Sequence, residues 1–391
     1  MTDDLHTLSR KLAAAKCPED LFEDIEPNRR DHAHREIARI YRQILLVIHP
    51  DHHSGTDLAI ANACMMQLEK LRHEAITKID KGTYGDRRAV VPVAPVPKIE
   101  PQIVKTPKAE YLVEEVLGHG DLATVYAASM TAGGKRRRVA FKLANHPGDN
   151  DLLEHDAAIL SSLERRRATS STLVSRNGFR FIPRFVDAFK LRGASKTLRH
   201  VSVLKAYEGY VSLSEILEEY PSGMDFRDVA WIFKRMLYAL WFVHTDLKIV
   251  HGAIVPAHVL VHPIEHGAKL IDWSYAVENW PTQTGHVKAI STSFEGYYPP
   301  EILAKKPPTP QTDIYMAAKC AIALLGGDPS TNAVPTTVPA PIRSFLQSCL
   351  LASQHRRPND AGQLLEEFDQ LLLQIVGNPT YRQLVMPQKR K

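Results

Sequence analysis

The stretch VLGHGDLATVY (Val116–Tyr126), followed by VAFK (Val139–Lys142), decides how the larger part of this chain reads. Apolar and polar residues alternate from about Tyr111 to Leu143, the period of a half-buried strand, and Gly118 and Gly120 punctuate the alternation. Downstream the period changes. The run LLEHDAAILSSL (Leu152–Leu163) is helical. Helical spacing dominates after about Asp225, as in Val229–His244 and Ile314–Leu325. A strand-rich lobe followed by a helix-rich lobe predicts an α+β architecture with a cleft between the lobes.

Toward the N-terminus, DRRAVVPVAPVPKIEPQIVKTPK (Asp86–Lys108) is proline-rich and poor in large apolar residues, the composition of a semi-rigid spacer. The expected organisation is therefore multidomain: an all-α helical module at 1–85, a linker at 86–109, a bilobal module at 110–375 and a basic tail at 376–391. The bilobal module splits into about 110–205 and 206–375. In the first module Ile37, Tyr41, Ile44, Leu45 and Ile48 fall at helical spacing, and Arg35, Arg39 and Arg42 fall on another face. A second helical run from about Asp57 to Ile79 offers Leu58, Met65, Leu68, Leu71, Ala75 and Ile79 for burial. Between the runs, Pro50 ends the first helix and Ser54-Gly55 supplies turn chemistry, which predicts an antiparallel helical hairpin.

Composition bounds the rest. The 391 residues correspond to about two to three domains, and 44% hydrophobic with 24% charged residues is globular composition. No run of ~18 apolar residues is present, and the polar N-terminus lacks the features of a secretory signal. Cys17, Cys64, Cys320 and Cys349 are scattered without CxxC spacing, so neither a disulfide framework nor a zinc site is expected, and the expected location is cytoplasmic, off the membrane. A net charge of +5 is small for this length. The basic runs at Lys135–Arg138, Arg165–Arg167 and Lys389–Lys391 carry no interleaved aromatics, which argues against a nucleic-acid partner.

With these residues in hand, the larger module resembles the protein kinases. Gly118 and Gly120, with Ala123 in the third glycine's place, look like the loop that covers the ATP phosphates. Val139-Ala140-Phe141-Lys142 resembles the strand whose Lys reaches those phosphates, and Asp156 falls where the family has the Glu that pairs with it. Ile271-Asp272-Trp273 stands for Asp-Phe-Gly, Tyr298 to Glu301 for Ala-Pro-Glu, Asp313 for the Asp that holds the catalytic loop, and Arg357 for the late partner of Glu301. The resemblance implies a nucleotide site built from Gly118, Gly120, Val125, Ala140, Lys142, Asp156 and Asp272, with ATP as cofactor and magnesium held through Asp272. The shorter Asp156 is expected to strain the pair with Lys142 or leave it open. By the same resemblance Ser291, Thr292 and Ser293 fall in the activation-segment region, where they read as a solvated loop, the alternative being phosphorylation by another kinase.

The catalytic loop departs from the pattern. His251-Gly252-Ala253 stands where the family has His-Arg-Asp, Val255 replaces its Lys, and His258 replaces its metal-holding Asn. Ala253 cannot accept the substrate hydroxyl proton, and imidazole is a poor magnesium ligand. His-Gly and Asp-Trp also resemble the aminoglycoside and choline phosphotransferases, where the same Asp is required. The degenerate loop of His251, Ala253 and His258 implies a pseudokinase with no catalytic residue of its own.

The segment IARIYRQILLVIHPD (Ile37–Asp51) resembles the J-domain of DnaJ-type co-chaperones, which carry Tyr-Arg on a helix that runs into His-Pro-Asp. That resemblance implies binding to a DnaK-type chaperone ATPase through Arg35, Arg39 and Arg42, with His49, Pro50 and Asp51 stimulating its ATP hydrolysis. Together the two resemblances imply a co-chaperone-type adaptor whose kinase-like domain holds an unidentified protein client or partner. The alternative is a divergent active Ser/Thr kinase that its J-domain only targets.

Overall fold

The computed structural model describes residues 4–15, 17–23, 25, 30–48, 56–80, 82–85, 102–192, 197–282, 285–287, 290–378 and 380–386. The chain divides into two compact units, Met1–Lys98 and Ile99–Lys391.

The first unit contains α1 (Leu5–Ala14), α2 (Arg30–Ile48) and α3 (Thr56–Asp80). Helix α1 was not expected, although its pattern is legible. Leu5, Leu8 and Leu12 recur at i, i+3 and i+7 and are buried, and the Asp4 carboxylate caps the helix by accepting from Thr7 N at 2.8 Å. On α3, Leu68, Leu71, Ala75 and Ile79 are buried as the spacing predicts, and Ala61 and Cys64 continue the stripe. The side chains of Leu58 and Met65 lie outside the described residues. So do His49, Pro50, Asp51 and the side chains of Arg35 and Arg42. Arg39 is exposed and bonds Glu36 at 2.9 Å and Gln43 at 3.1 Å, so part of its charge is already answered on its own helix.

A buried ion pair ties the end of α3 to the segment after α1. Lys78 Nζ meets both Glu19 oxygens at 2.9 and 3.0 Å, and Gly85 N donates to Glu19 Oε1 at 3.0 Å. Burial pushes the Glu19 carboxyl up, but Lys78 and the backbone N–H of Gly85 outweigh it and hold it below the ordinary value. Removing one partner of such a pair costs about 3–5 kcal/mol because the other charge stays buried. Lys78→Met should therefore speed hydrogen exchange of the α3 amides by roughly 10²-fold or more, since each 1.4 kcal/mol is about tenfold. An unchanged rate would show that the pair is dispensable. The depressed Glu19 carboxyl adds stability that is present above its unfolded value and is lost as pH falls through the folded one.

The second unit opens with a six-stranded antiparallel sheet: β1 (Gln102–Lys105), β2 (Glu110–His119), β3 (Ala123–Ala132), β4 (Lys135–Ala144), β5 (Phe185–Arg192) and β6 (Leu198–Lys205), in the order β1-β2-β3-β4-β6-β5. Strand β1 corrects the linker expectation, since residues 102–105 pair with 110–113. The four-residue alternation of QIVK was hidden among the prolines around it. Helix α4 (Asn150–Thr169) packs on β5 and β6, and the short α5 (Leu173–Gly178) leads to β5.

The helical lobe follows: β7 (Val211–Ser212), α6 (Leu213–Glu219), α7 (Phe226–Phe242), β8 (Ile249–Val250), β9 (Val259–Val261), β10 (Ala268–Leu270), β11 (Val277–Glu278), α8 (Pro300–Leu303), α9 (Pro310–Leu324), α10 (Ala340–Ser348) and α11 (Ala361–Val376). Helices α7 and α9 form its centre. Ile232, Phe233, Met236, Leu237 and Leu240 of α7 pack in one core with Ile314, Met316 and Ile322 of α9. Among the described residues no helix is long and apolar enough to cross a membrane.

The basic tail also needs correction. Residues 380–386 dock on this lobe: Leu384 is buried, Arg382 pairs with Asp228 at 3.0 and 3.2 Å, and Tyr381 donates to Ile264 O at 2.7 Å. The basic run Lys389–Lys391 lies outside the described residues.

Candidate functional site

The loop after β8 is fixed from below by one carboxylate. Asp313, in the first turn of α9 and fully buried, accepts His251 N and Gly252 N at 2.8 Å each, and its Oδ2 also meets His244 Nε2 at 2.8 Å. These bonds set the frame of the next residues. His251 is wholly buried, 4.7 Å from the Trp273 ring, with Nε2 3.2 Å from Ile271 O. Burial pushes its imidazole down to about 4, so it is a neutral scaffold group. Gly252 has φ +74, and a Cβ there would stand 2.9 Å from Tyr275 O, so the backbone itself excludes an Arg. Ala253 comes next, with no exposed surface, and the frame leaves no carboxylate at its position.

Lys142 stands at the centre of the charged site. Strand β4 carries it, with Val125 opposite on β3, and Ala140 sits two residues away opposite Ala127. Its Nζ is 3.2 Å from Asp156 Oδ2 and 3.2 Å from Asp272 Oδ2. The pair with Asp156 is therefore closed, contrary to the expectation from the shorter side chain. Asp156 is fully buried on α4 and uses its other oxygen to accept Trp273 N at 2.8 Å. The backbone of Trp273 thus draws α4 toward the Asp272 segment, which makes up for the missing methylene.

Two carboxylates share one ammonium here. Burial pulls Lys142 down, but the two carboxylates outweigh it and hold its proton more firmly than in water. Burial pushes Asp156 up, whereas Lys142 and then His258 hold Asp272 down against the same burial. His258 Nε2 is 3.7 Å from Asp272 Oδ2, and its Nδ1 donates to Ala253 O at 3.0 Å, which assigns the Nδ1 proton. The imidazole thus lies between Ala253 O and Asp272. His262 packs its ring on Tyr210 with centroids 5.2 Å apart.

The glycine loop is tied down by residues that motif reading missed. Asn145 Nδ2 donates to Gly120 O at 2.8 Å, and its Oδ1 accepts the Thr124 hydroxyl at 2.8 Å. Gly118 is open above the loop, since a Cβ there would meet nothing within 4 Å. Ser291 corrects the solvated-loop expectation: it is buried, and its hydroxyl donates to Asp121 Oδ2 at 2.5 Å. No sequence signal links positions that far apart. Farther down, Arg357 grips Glu301 through two bonds of 2.7 and 3.0 Å, and Thr312 donates to the same carboxylate at 3.1 Å.

These residues suit a nucleotide with a divalent ion. The cluster holds one more carboxylate than ammonium, an excess that a divalent ion would answer. Magnesium typically takes one or two carboxylates together with substrate phosphates. Asp272 supplies one such carboxylate, and His258 supplies nitrogen in place of a second oxygen donor. Among the described residues no group of three or more His, Cys, Asp and Glu side chains is placed to cage a metal by itself.

A model of the protein kinase domain family matches residues 111–377. The chain is also similar to the serine/threonine-protein kinase PAK 1 of Mus musculus, with 24% identity over 284 residues. That match covers 67% of this chain and 47% of the relative, so the chain spans about half the length of the curated relative it matches.

Proposed function

This chain belongs to the protein kinase family, and from that premise we propose that its kinase domain grips ATP without transferring the γ-phosphate and serves as a binding module for a protein partner. The observation that carries the reading is Ala253, fully buried in a loop whose frame Asp313 fixes at His251 and Gly252. A methyl group accepts no proton, and the neighbouring positions that would carry charge hold Val255 and His258. The nucleotide-gripping side is better preserved. Lys142 would orient the α- and β-phosphates, Asp272 would hold the metal that neutralises them, and the loop at Gly118 and Gly120 would cover them.

The N-terminal module completes the proposal as a co-chaperone-type recruiter of a DnaK-type ATPase. This half rests on the resemblance of Ile37–Asp51 to J-domains, and is supported by a second long helix, α3, after the His49-Pro50-Asp51 segment. Tethering the two activities raises the effective concentration of chaperone at whatever the kinase-like domain holds.

Binding and turnover test both halves on the full chain. ATP with magnesium should bind and be recovered intact, with affinity at least tenfold weaker in Lys142→Met. The full chain should stimulate ATP hydrolysis by a DnaK-type chaperone, and His49→Gln should abolish that stimulation. Equal stimulation by His49→Gln removes the co-chaperone half, and equal affinity in Lys142→Met removes the nucleotide half.

A further inference from the structure

A cavity of about 910 Å³ lies between the starts of β4 and β5, the segment after β6 and the residues around β10. That volume falls within the ordinary range of small-molecule sites, about 300–1,000 Å³. Lys269 lies in its wall and is only 8% exposed. Its ammonium donates to Arg180 O and lies 4.6 Å from the Tyr207 ring centroid and 5.6 Å from that of Tyr210. An ammonium has three donors, and among the described residues this one has a single hydrogen-bond acceptor and no carboxylate partner.

The other charges around it sharpen the case. Lys205 lines the same cavity, holds its ammonium 5.8 Å from the same Tyr207 ring, and has no ion pair among the described residues. Arg138 is answered by Glu114, and Arg184 by Glu164 at 2.7 Å. Glu208 and Glu265 are exposed at the rim, while the floor is cationic and aromatic. A nearly buried ammonium without a counter-charge is costly, and an anion entering the cavity relieves that cost.

We propose that this cavity binds a phosphomonoester carried on an aromatic or apolar body, with Lys269 and Lys205 on the phosphate and Tyr207 and Tyr210 against the body. Two neighbouring ammoniums suit a dianion better than a single carboxylate, and the ring faces select against bare phosphate. None of the nucleotide-gripping residues lines this cavity, and the proposal does not depend on their function.

The pH dependence follows from the surroundings of Lys269. Burial, then Arg167, Lys205 and Arg180, push its ammonium down to about 8. Burial pushes the Tyr207 and Tyr210 hydroxyls up, so they stay neutral in this range. A phosphomonoester is already a dianion above its second ionisation near 6. Lys269 therefore carries its charge at neutral pH and loses it as pH rises through about 8, and anion binding weakens with it.

Calorimetry on the full chain with phenyl phosphate, and separately with inorganic phosphate, tests the site at about pH 7 and pH 9. Wild type should bind phenyl phosphate more tightly than inorganic phosphate and lose several-fold of that affinity at the higher pH. Lys269→Met should bind at least tenfold more weakly and lose the pH dependence, with thermal melting reporting that it is folded. If Lys269→Met does not fold, the exposed Lys205→Met carries the test with an expected several-fold loss. Equal affinity in the lysine variants overturns the proposal, as does failure of both probes to bind. Probe binding that disappears in Lys142→Met belongs to the nucleotide site and also overturns it. Equal affinity for the two probes overturns the aromatic-body requirement and leaves free phosphate as the ligand.

Discussion

Incubated with γ-labelled ATP and magnesium or manganese, the purified chain should label neither itself nor a generic protein substrate above the level of its Lys142→Met variant. Ala253→Asp alone should not change that result. General-base assistance is worth about 10²–10⁴-fold, and on the proposed reading the methyl group of Ala253 supplies none of it. Phosphoryl transfer depends even more on positioned charge, so Val255 in place of a Lys and His258 in place of an oxygen donor should cost further. A carboxylate introduced at residue 253 would also enter a fully buried position, where desolvation raises its pKa and weakens its hold on charge. Label in wild type that vanishes in Lys142→Met would mean another group takes the proton, and the active-kinase reading would replace the adaptor. His258 would be the first suspect, because its ring lies between Ala253 O and Asp272. Label that persists in Lys142→Met would not come from this site.

Much of the kinase fold was readable because its landmarks are local patterns laid down in order. The glycine loop, the strand around Lys142, the His251 segment and α9 each announce themselves within a dozen residues. Distances between elements were not readable. The closed Lys142–Asp156 pair depends on how near α4 sits, and a bond from Trp273 N sets that approach. The Asp121–Ser291 contact and the docked segment around Leu384 are tertiary contacts between positions that share no periodicity. Helix α1 differs in kind, because Leu5, Leu8, Leu12 and the capping Asp4 form a local helical pattern of the sort a sequence does carry. The charge state of Lys269 was wholly invisible, since its partners come from α4, β6 and the segment before β5.

Asp313→Ala should be among the most destabilising single changes in the kinase domain. The carboxylate has no exposed surface and accepts from two backbone N–H groups and from the His244 imidazole, all at 2.8 Å. Removing it strands the His251 and Gly252 N–H groups in a dry interior, at about 1–3 kcal/mol each, before any loss at His244 is counted. A loss of roughly 3–6 kcal/mol in chemical denaturation is expected, a large share of the ~5–15 kcal/mol typical of a domain. Asp313→Asn separates charge from shape, because an amide oxygen can replace one acceptor but its NH₂ faces a second donor. It should recover only part of the loss. The same network gives the domain an acid limit. His251 stays neutral in the fold down to about 4, while the unfolded chain takes up its proton near 6.5, so the unfolded state binds more protons between those values. Stability from this group is complete above about pH 6.5 and falls as pH drops toward 4, by about 3 kcal/mol in all. In His251→Phe, which keeps a ring beside Trp273 and cannot titrate, the melting temperature should fall less between pH 7 and 4 than in wild type. An identical fall in the two proteins would place the acid limit elsewhere. If Asp313→Ala melts like wild type, the catalytic loop is held by its own core residues, Ile254 and Val255, rather than by this carboxylate.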